Sequence, residues 1–517
     1  MRYTKNGMHK KEAEMSFFSS FILRLTVQHR ALYCYLILSL WILILLGVMY
    51  RYIGLENDSL NLLKHHTTEI NGGGTTKNLF PFLKLPSLIK VCNPYEGISA
   101  GSEGSESKQY VLEGILILIR HGDRGPLTHV QNISSVNCVG PYDPLYAKFE
   151  TYIDNITGTS ALSQLLGTFH GIPPLPGIEC GLGLLTRIGA SQLLATGKVL
   201  RNVYKNLLHI NGSLIKEEIK AYSTRYRRTL QSALAFLFTF LSNDHFQKVT
   251  LQEAPSLSFC FDDCACPAAD HYHRKFVMET YHHILSRPSI LNLVKSSSSV
   301  IYEFPDRKTS TDPHALKDAV LTYVCHGANL PCSSPESCIK IEHINALFTY
   351  LEWESKQFSK SQNLKMECLL RAYGLLKNII SHLLRIVSEK RPRIVLYSGH
   401  DKTISYLATA LGVSEEGVSS PQYASRLIFE VYRSNDQVAA QYGPVGSDYF
   451  FRLLFNGKDI TRLVQFCKSD SNSFKEFNST SSKSNFNLCP LESIVRFLHD
   501  DYFALFNASN IRDACSV

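Results

Sequence analysis

The chain has 517 residues, 44% of them hydrophobic and 11% aromatic, an ordinary balance for a globular protein able to bury a sizeable core. Its formal net charge of +8 is unevenly placed, because residues 1–30 carry Arg2, Lys5, Lys10, Lys11, Arg24 and Arg30 against only Glu12 and Glu14, half of the excess. The slight surplus left for the rest of the chain does not describe a nucleic-acid binder, and no nucleic-acid partner is expected.

After this basic lead, 1–31, the stretch Leu32 to Tyr50 holds 19 residues without a charge, enough to cross a bilayer at about 1.5 Å per residue. A cleaved signal peptide is the competing reading, but the run is long for an h-region and "RYIGLEND" after it is a poor cleavage site. Basic residues crowd the side before the span and only Arg51 and Lys64 follow within twenty residues. The positive-inside rule therefore predicts a type II anchor with a cytoplasmic tail and a lumenal body, and the membrane is an expected partner through that anchor. Two further features agree with a lumenal body. The sequons at Asn57, Asn132, Asn155, Asn211, Asn478 and Asn507 all follow the span, as do thirteen of the fourteen cysteines, which an oxidising compartment would pair, leaving at least one odd.

Residues 51–109 are poor in pattern, and "NGGGTTKN" and "GISAGSEGSESK" read as a flexible stem in which Cys92 is a candidate tether. The body opens with "YVLEGILILIRHG", whose run Ile115 to Ile119 suits a strand buried on both faces. "LTRIGASQLLATGKVLRNVYKNLL" predicts a helix capped by Thr186, "IKAYST" a second strand, and "RRTLQSALAFLFTFL" another helix. Strand and helix in alternation argue an α/β fold with a central, mostly parallel sheet flanked by helices. Between about 254 and 390 strand signals fade and helical patterns dominate, ending in the amphipathic series Leu369, Tyr373, Leu376, Ile380, Leu383 and Val387. The alternation resumes with "RIVLYSGHDKTISYLATAL", "RLIFEVY" and "YFFRLLFN". The expected layout is an α/β core over 110–253 and 391–507, a mainly helical insertion over 254–390, and the N-terminal transmembrane helix and stem ahead of them.

Polar clusters arrive at three predicted strand ends: Arg120 to Pro126, Ser223 to Arg228, and Gly399 to Asp401, with "LTRIGASQ" a weaker fourth. The carboxyl edge of a parallel sheet is where ligands bind. Arg120, Arg124 and Arg228 offer rigid N–H forks matched to phosphate oxygens, and His121 among them suits a nucleophile toward phosphorus. His400 is a second phosphate ligand and Asp401 a general acid for the leaving alkoxide, its proton retained in a crowded anionic site. The arginines supply the charge that magnesium supplies elsewhere, so no metal or cofactor is expected.

These residues resemble the histidine phosphatase superfamily, its acid phosphatase and phytase branch in particular. The motif Arg-His-Gly-x-Arg-x-Pro is met in full by Arg120 to Pro126, and Arg228, Thr229, Leu230 and Ser232 match the second motif, in which Arg225 stands where the family has aspartate. That departure bears on the packing of the helix start rather than on the chemistry, since Arg228 is kept. The later His-Asp pair falls on His400 and Asp401, and "PQYASRLIFEVY" and "CPLESIVRFL" are also family-like, so the resemblance spans roughly 110–505. It implies that His121 is the phosphorylated nucleophile, Arg120, Arg124, Arg228 and His400 the phosphate ligands, and Asp401 the proton donor.

The anchor and the stretch "LTYVCHGANLPC" resemble the Golgi members of the branch that remove the 2-phosphate from xylose in the glycosaminoglycan–protein linkage region. That resemblance implies a Golgi-membrane phosphomonoesterase with a phosphorylated glycan or proteoglycan substrate and a Golgi glycosyltransferase as a protein partner. A broad-specificity acid phosphatase or phytase-like enzyme is the alternative, and an inactive glycan-binding relative a further one. Cys264, Cys266, His271 and His273 have spacings that zinc sites use, but in a chain so rich in cysteine disulfides and surface histidines are the favoured reading.

Overall fold

The computed structural model of the chain describes residues 39–43, 45, 90–209, 216–254, 265–335, 337–413, 416–435, 447–468, 475–478 and 485–516. The chain divides into Met1–Leu79 and Phe80–Val517. Of the first unit only 39–43 and 45 are described, as helix, so most of the membrane span expected at 32–50 lies outside the described residues, among which no helix is long and apolar enough to cross a membrane. The elements below belong to the second unit.

The strands are β1 (Tyr110–Arg120), β2 (Ile219–Ser223), β3 (Leu251–Glu253), β4 (Cys332–Ser334), β5 (Ser337–Cys338), β6 (Ile394–Gly399), β7 (Arg426–Ser434), β8 (Tyr449–Phe455), β9 (Lys458–Asp459), β10 (Lys475–Asn478) and β11 (Asn485–Pro490). All but β4 and β5, which form a separate ribbon, join one sheet in the order β10-β11-β8-β7-β1-β6-β2-β3, with β9 on β8. The sheet is mixed: β3, β2, β6 and β1 are parallel, and β7, β8, β11 and β10 extend it antiparallel.

The apolar run of β1 is buried on both faces, as its composition predicts. Ile115, Ile117 and Ile119 join a core with Leu193 and Leu200 of helix α1 (Arg187–Tyr204) and Leu234 and Phe236 of α2 (Arg227–Phe240). Leu116 and Leu118 point the other way, toward Leu376, Ile379 and Leu383 of the 28-residue helix α4 (Gln362–Glu389). Each such side chain removed from water contributes about 1.5–3 kcal/mol, so this strand is fixed in register and its last residue is fixed with it.

Helices Pro288–Ile301, α3 (Pro313–Val324) and Ile341–Phe358 form a third core around Val294, Ile301, Leu316, Val320, Ile344 and Leu347. Disulfides staple the body: Cys92–Cys325, Cys138–Cys180, Cys266–Cys515, Cys332–Cys338 and Cys467–Cys489. Cys92 is thus a tether, joined to the end of α3, and Cys368 is the free cysteine among the described residues. Cys266 is committed to Cys515 and His273 faces Glu367 at 3.0 Å, so neither stands ready for zinc; Cys264 lies outside the described residues. Of the sequons, Asn132, Asn155 and Asn507 are exposed, Asn478 is in β10, and Asn57 and Asn211 lie outside the described residues.

Candidate active site

Three parallel strands finish level with one another. Ser223 of β2 pairs with Ser398 of β6, Ser398 with Ile119, and Gly399 with Arg120, so Arg120, His121, Thr224 and His400 emerge together from one sheet edge. β7 runs the other way and begins there: Arg120 N donates to Ser425 O at 2.9 Å, and Ala424 N to His121 O at 3.1 Å.

The loop after β1 is held by backbone contact. A Cβ on Gly122 would meet the Gly189 carbonyl oxygen at 2.1 Å, and one on Gly189 would meet the Asp123 carbonyl oxygen at 2.2 Å. The "RHG" glycine and the glycine of "LTRIGAS" are thus two halves of one close approach, which accounts for the weak fourth cluster. Thr186 caps α1, accepting from Gly189 N at 3.0 Å.

His121 is buried, and its Nδ1–H donates to the Gly122 carbonyl at 2.8 Å, which leaves Nε2 as the ring's lone-pair nitrogen. Burial, then the charges of Arg120, His400, Arg228 and Arg124, push its pKa well below the ordinary histidine value. The surroundings therefore disfavour the imidazolium and favour the neutral, nucleophilic ring.

The arginines differ in how they are held. Arg120 donates from Nη1 to Pro421 O at 2.7 Å, sets Nη2 3.1 Å from Asp401, and stacks its guanidinium 4.4 Å from the centre of the Tyr423 ring. Arg124 forks onto Asp318 of α3 at 2.7 and 3.3 Å. Arg228 has no carboxylate partner among the described residues; burial and the Arg124 charge push it down to about 10. A half-buried guanidinium with no counter-charge, set among two others, is the electrostatic mark of an anion site.

His400 links this group. Arg228 Nη2 donates to its Nδ1 at 3.3 Å, so its Nε2–H donates to Thr224 Oγ1 at 3.1 Å. Burial first, then Arg228, pushes its pKa down to about 3. Asp401, at the start of helix α5 (Asp401–Ala410), keeps 48% of its side chain accessible. Its partial removal from water would raise its pKa, but Arg120, the Lys402 N–H and Arg124 outweigh that and hold the carboxyl well below the usual range. This differs from the proton-retaining carboxyl expected from sequence: among the arginines alone Asp401 is ionised. A phosphate dianion on the same arginines would cancel their field and favour the protonated form.

The sequence alone does not single out Asp318, Lys317 or Tyr423. Lys317 donates to Ser420 Oγ at 3.2 Å, its pKa lowered by burial and the Arg120 charge, so α3 brings both a carboxylate and an ammonium to the cleft. Arg225 points away from it, 78% exposed and 3.0 Å from Glu253. Asp318→Ala is expected to lower kcat/KM for an aryl phosphate roughly tenfold to hundredfold, the loss of about 1.5–3 kcal/mol of charged hydrogen bonding to Arg124. Steady-state kinetics checks this, and an unchanged value would mean that the Gly125 carbonyl, 3.0 Å from Arg124 Nη1, suffices to hold it.

Residues 111–324 and 332–456 match the histidine phosphatase superfamily (branch 2). The chain belongs to that family. 2-Phosphoxylose phosphatase 1 of Mus musculus is 29% identical over 496 residues, covering 92% of this chain and 97% of the relative. The Homo sapiens form is 28% identical over 434 residues, 82% of this chain and 85% of its own. Lysosomal acid phosphatase of Rattus norvegicus is 26% identical over 273 residues, 50% of this chain and 61% of that protein. This branch 2 histidine phosphatase is an acid phosphatase-type phosphomonoesterase, and its disulfides are those of a secretory-pathway protein.

Proposed function

We propose that His121 is the nucleophile, Arg120, Arg124, Arg228 and His400 bind the transferred phosphate, and Asp401 donates the proton. The observation that carries this reading is the neutral, buried imidazole with Nδ1 committed to the Gly122 carbonyl, set among three guanidiniums. Nε2 attacks phosphorus and forms a P–N bond as the ester P–O bond breaks, and the leaving oxygen takes the proton of Asp401. The arginines hold the equatorial oxygens throughout. Water then attacks the phosphohistidine, its proton passes to the Asp401 carboxylate, and inorganic phosphate leaves while His121 is regenerated.

The substrate proposed is a phosphorylated glycan, the 2-phosphate of xylose in the proteoglycan linkage region. Similarity to 2-phosphoxylose phosphatases over 92% of the chain, against 50% for the lysosomal enzyme, supports it. The uncharged run at 32–50, the basic residues before it and the exposed sequons support a type II Golgi-membrane protein with a lumenal body, where a glycosyltransferase of the same pathway is the expected neighbour. The full chain in detergent is expected to release phosphate from a phosphoxylosyl glycopeptide with kcat/KM at least roughly tenfold above that for glycerol phosphate, a difference of about 1.4 kcal/mol in transition-state binding. Equal efficiency on both would replace this substrate with broad specificity, and release from neither would remove the enzyme reading.

A further inference from the structure

Asp123 stands between His121 and Arg124, and no step above uses it. Its side chain is 3% exposed. Oδ2 accepts from Thr186 Oγ1 at 2.6 Å and lies 2.9 Å from Nε2 of His326. Its N–H donates to Gln192 Oε1 at 2.7 Å, and its carbonyl accepts from Thr186 N at 3.1 Å. Gln192 Nε2 in turn donates to the carbonyls of Cys92 and Asn93 at 2.8 and 2.9 Å. Cys92 is bonded to Cys325, the neighbour of His326, which closes the circuit. Four segments, from the 90s, the catalytic loop, α1 with its cap and the end of α3, are therefore linked around Asp123.

The His326 side chain has no exposure at all, and Nδ1 lies 2.7 Å from the Thr322 carbonyl. A neutral ring cannot suit both neighbours. With its one proton on Nδ1 it would turn a lone pair on the Asp123 carboxylate, and with the proton on Nε2 a lone pair on the carbonyl. Only the imidazolium both gives the Thr322 carbonyl a hydrogen and sets a positive charge against the Asp123 carboxylate, 2.9 Å away in an ion pair rather than an aligned hydrogen bond. The groups facing the pair are Thr186 and Gln192 from α1, the Thr322 carbonyl from α3, and the Tyr423 phenol, which senses the Asp123 charge. Of the charged neighbours, Asp123 is the one that acts on the His326 ring.

We propose that His326 is a positioning residue: as an imidazolium locked onto Asp123 it fixes the loop that carries His121 and Arg124, so that turnover has an alkaline limit set from the end of α3. This rests on the phosphatase reading of that loop. Burial would lower the His326 pKa, but the Asp123 charge and the Thr322 carbonyl raise it above the ordinary value. The pair is then intact below about pH 6.5, the unperturbed histidine pKa, and is lost as pH rises through the raised value.

The test is kcat and KM of the full chain on 4-nitrophenyl phosphate between pH 4 and 9, a substrate whose phenolate leaves without a proton and so removes the proton donor Asp401 from the alkaline limb of the profile. His326→Gln is expected to lower kcat in acid roughly tenfold to hundredfold, the cost of a misplaced catalytic loop. KM should stay within about twofold, because Arg124 stays forked onto Asp318 and Arg120 and Arg228 lie outside that loop, and the alkaline limb should vanish. Adding Asp123→Asn to His326→Gln should cost little more. A wild-type kcat with an unmoved limb would overturn the proposal while leaving the phosphatase reading standing; a wild-type chain inactive at every pH would remove that reading first. Histidine NMR of the wild-type chain decides the matter if the variant does not fold. A His326 signal titrating at the midpoint of the limb supports the proposal, and one neutral through the acid range refutes it.

Discussion

His121→Ala is expected to reduce phosphomonoester turnover by roughly 10⁴- to 10⁶-fold, the scale on which loss of a nucleophile acts, and to abolish the acid-labile phosphoenzyme trapped by rapid quench. The size follows from the absence of a substitute. His400 lies 5.5 Å away ring to ring, but its Nδ1 accepts from Arg228 and its Nε2–H is spent on Thr224, so it has no free lone pair to offer. The arginines would still bind phosphate, so inorganic phosphate should remain a ligand of the variant, and that binding separates a lost nucleophile from a lost fold. Added imidazole, entering the space left by the ring, is expected to restore part of the turnover. A variant that still forms a phosphoenzyme would move the nucleophile elsewhere in the site.

The parts legible in the sequence share one property: they are local. β1 could be read because five successive apolar residues admit few alternatives, and α1 because Thr186 marks its cap. The arginines and histidines could be read because each lies at the end of a strand or within five residues of it. What could not be read depends on side chains separated by hundreds of positions. Asp318 sits on a helix whose pattern is that of any amphipathic helix, and only the fold turns it onto Arg124. His326 lies in "LTYVCHGANLPC", a stretch that marks a relationship without revealing that its histidine meets Asp123, and the Cys92–Cys325 bond that brings it there joins residues 233 apart. The protonation of Asp401 was unreadable for another reason. Its pKa is a balance between loss of water on one side and two arginines and the Lys402 N–H at fixed places on the other, and residue types name these groups without saying how strongly each acts.

Asp401→Asn is expected to divide substrates by their leaving groups. An alkyl phosphate, a sugar phosphate included, expels an alkoxide too basic to leave without a proton, so kcat should fall roughly 10²- to 10⁴-fold, the usual range for a lost general acid. 4-Nitrophenyl phosphate should lose less than about tenfold, since its phenolate needs little help. The pH profile carries the same division. Beside Arg120 and Arg124 the carboxyl sits well below its ordinary range, so the proton it donates must be acquired with the substrate, whose dianion cancels the field of the arginines. For alkyl substrates kcat should therefore decline as pH rises through the Asp401 pKa of the complex, and that decline should be missing from the variant. Any alkaline limb that persists with 4-nitrophenyl phosphate belongs instead to the His326–Asp123 pair. Equal losses on both substrates would show that the carboxylate acts in what the two share, accepting the proton of the attacking water or holding Arg120, 3.1 Å away, and not by giving up a proton to the leaving group.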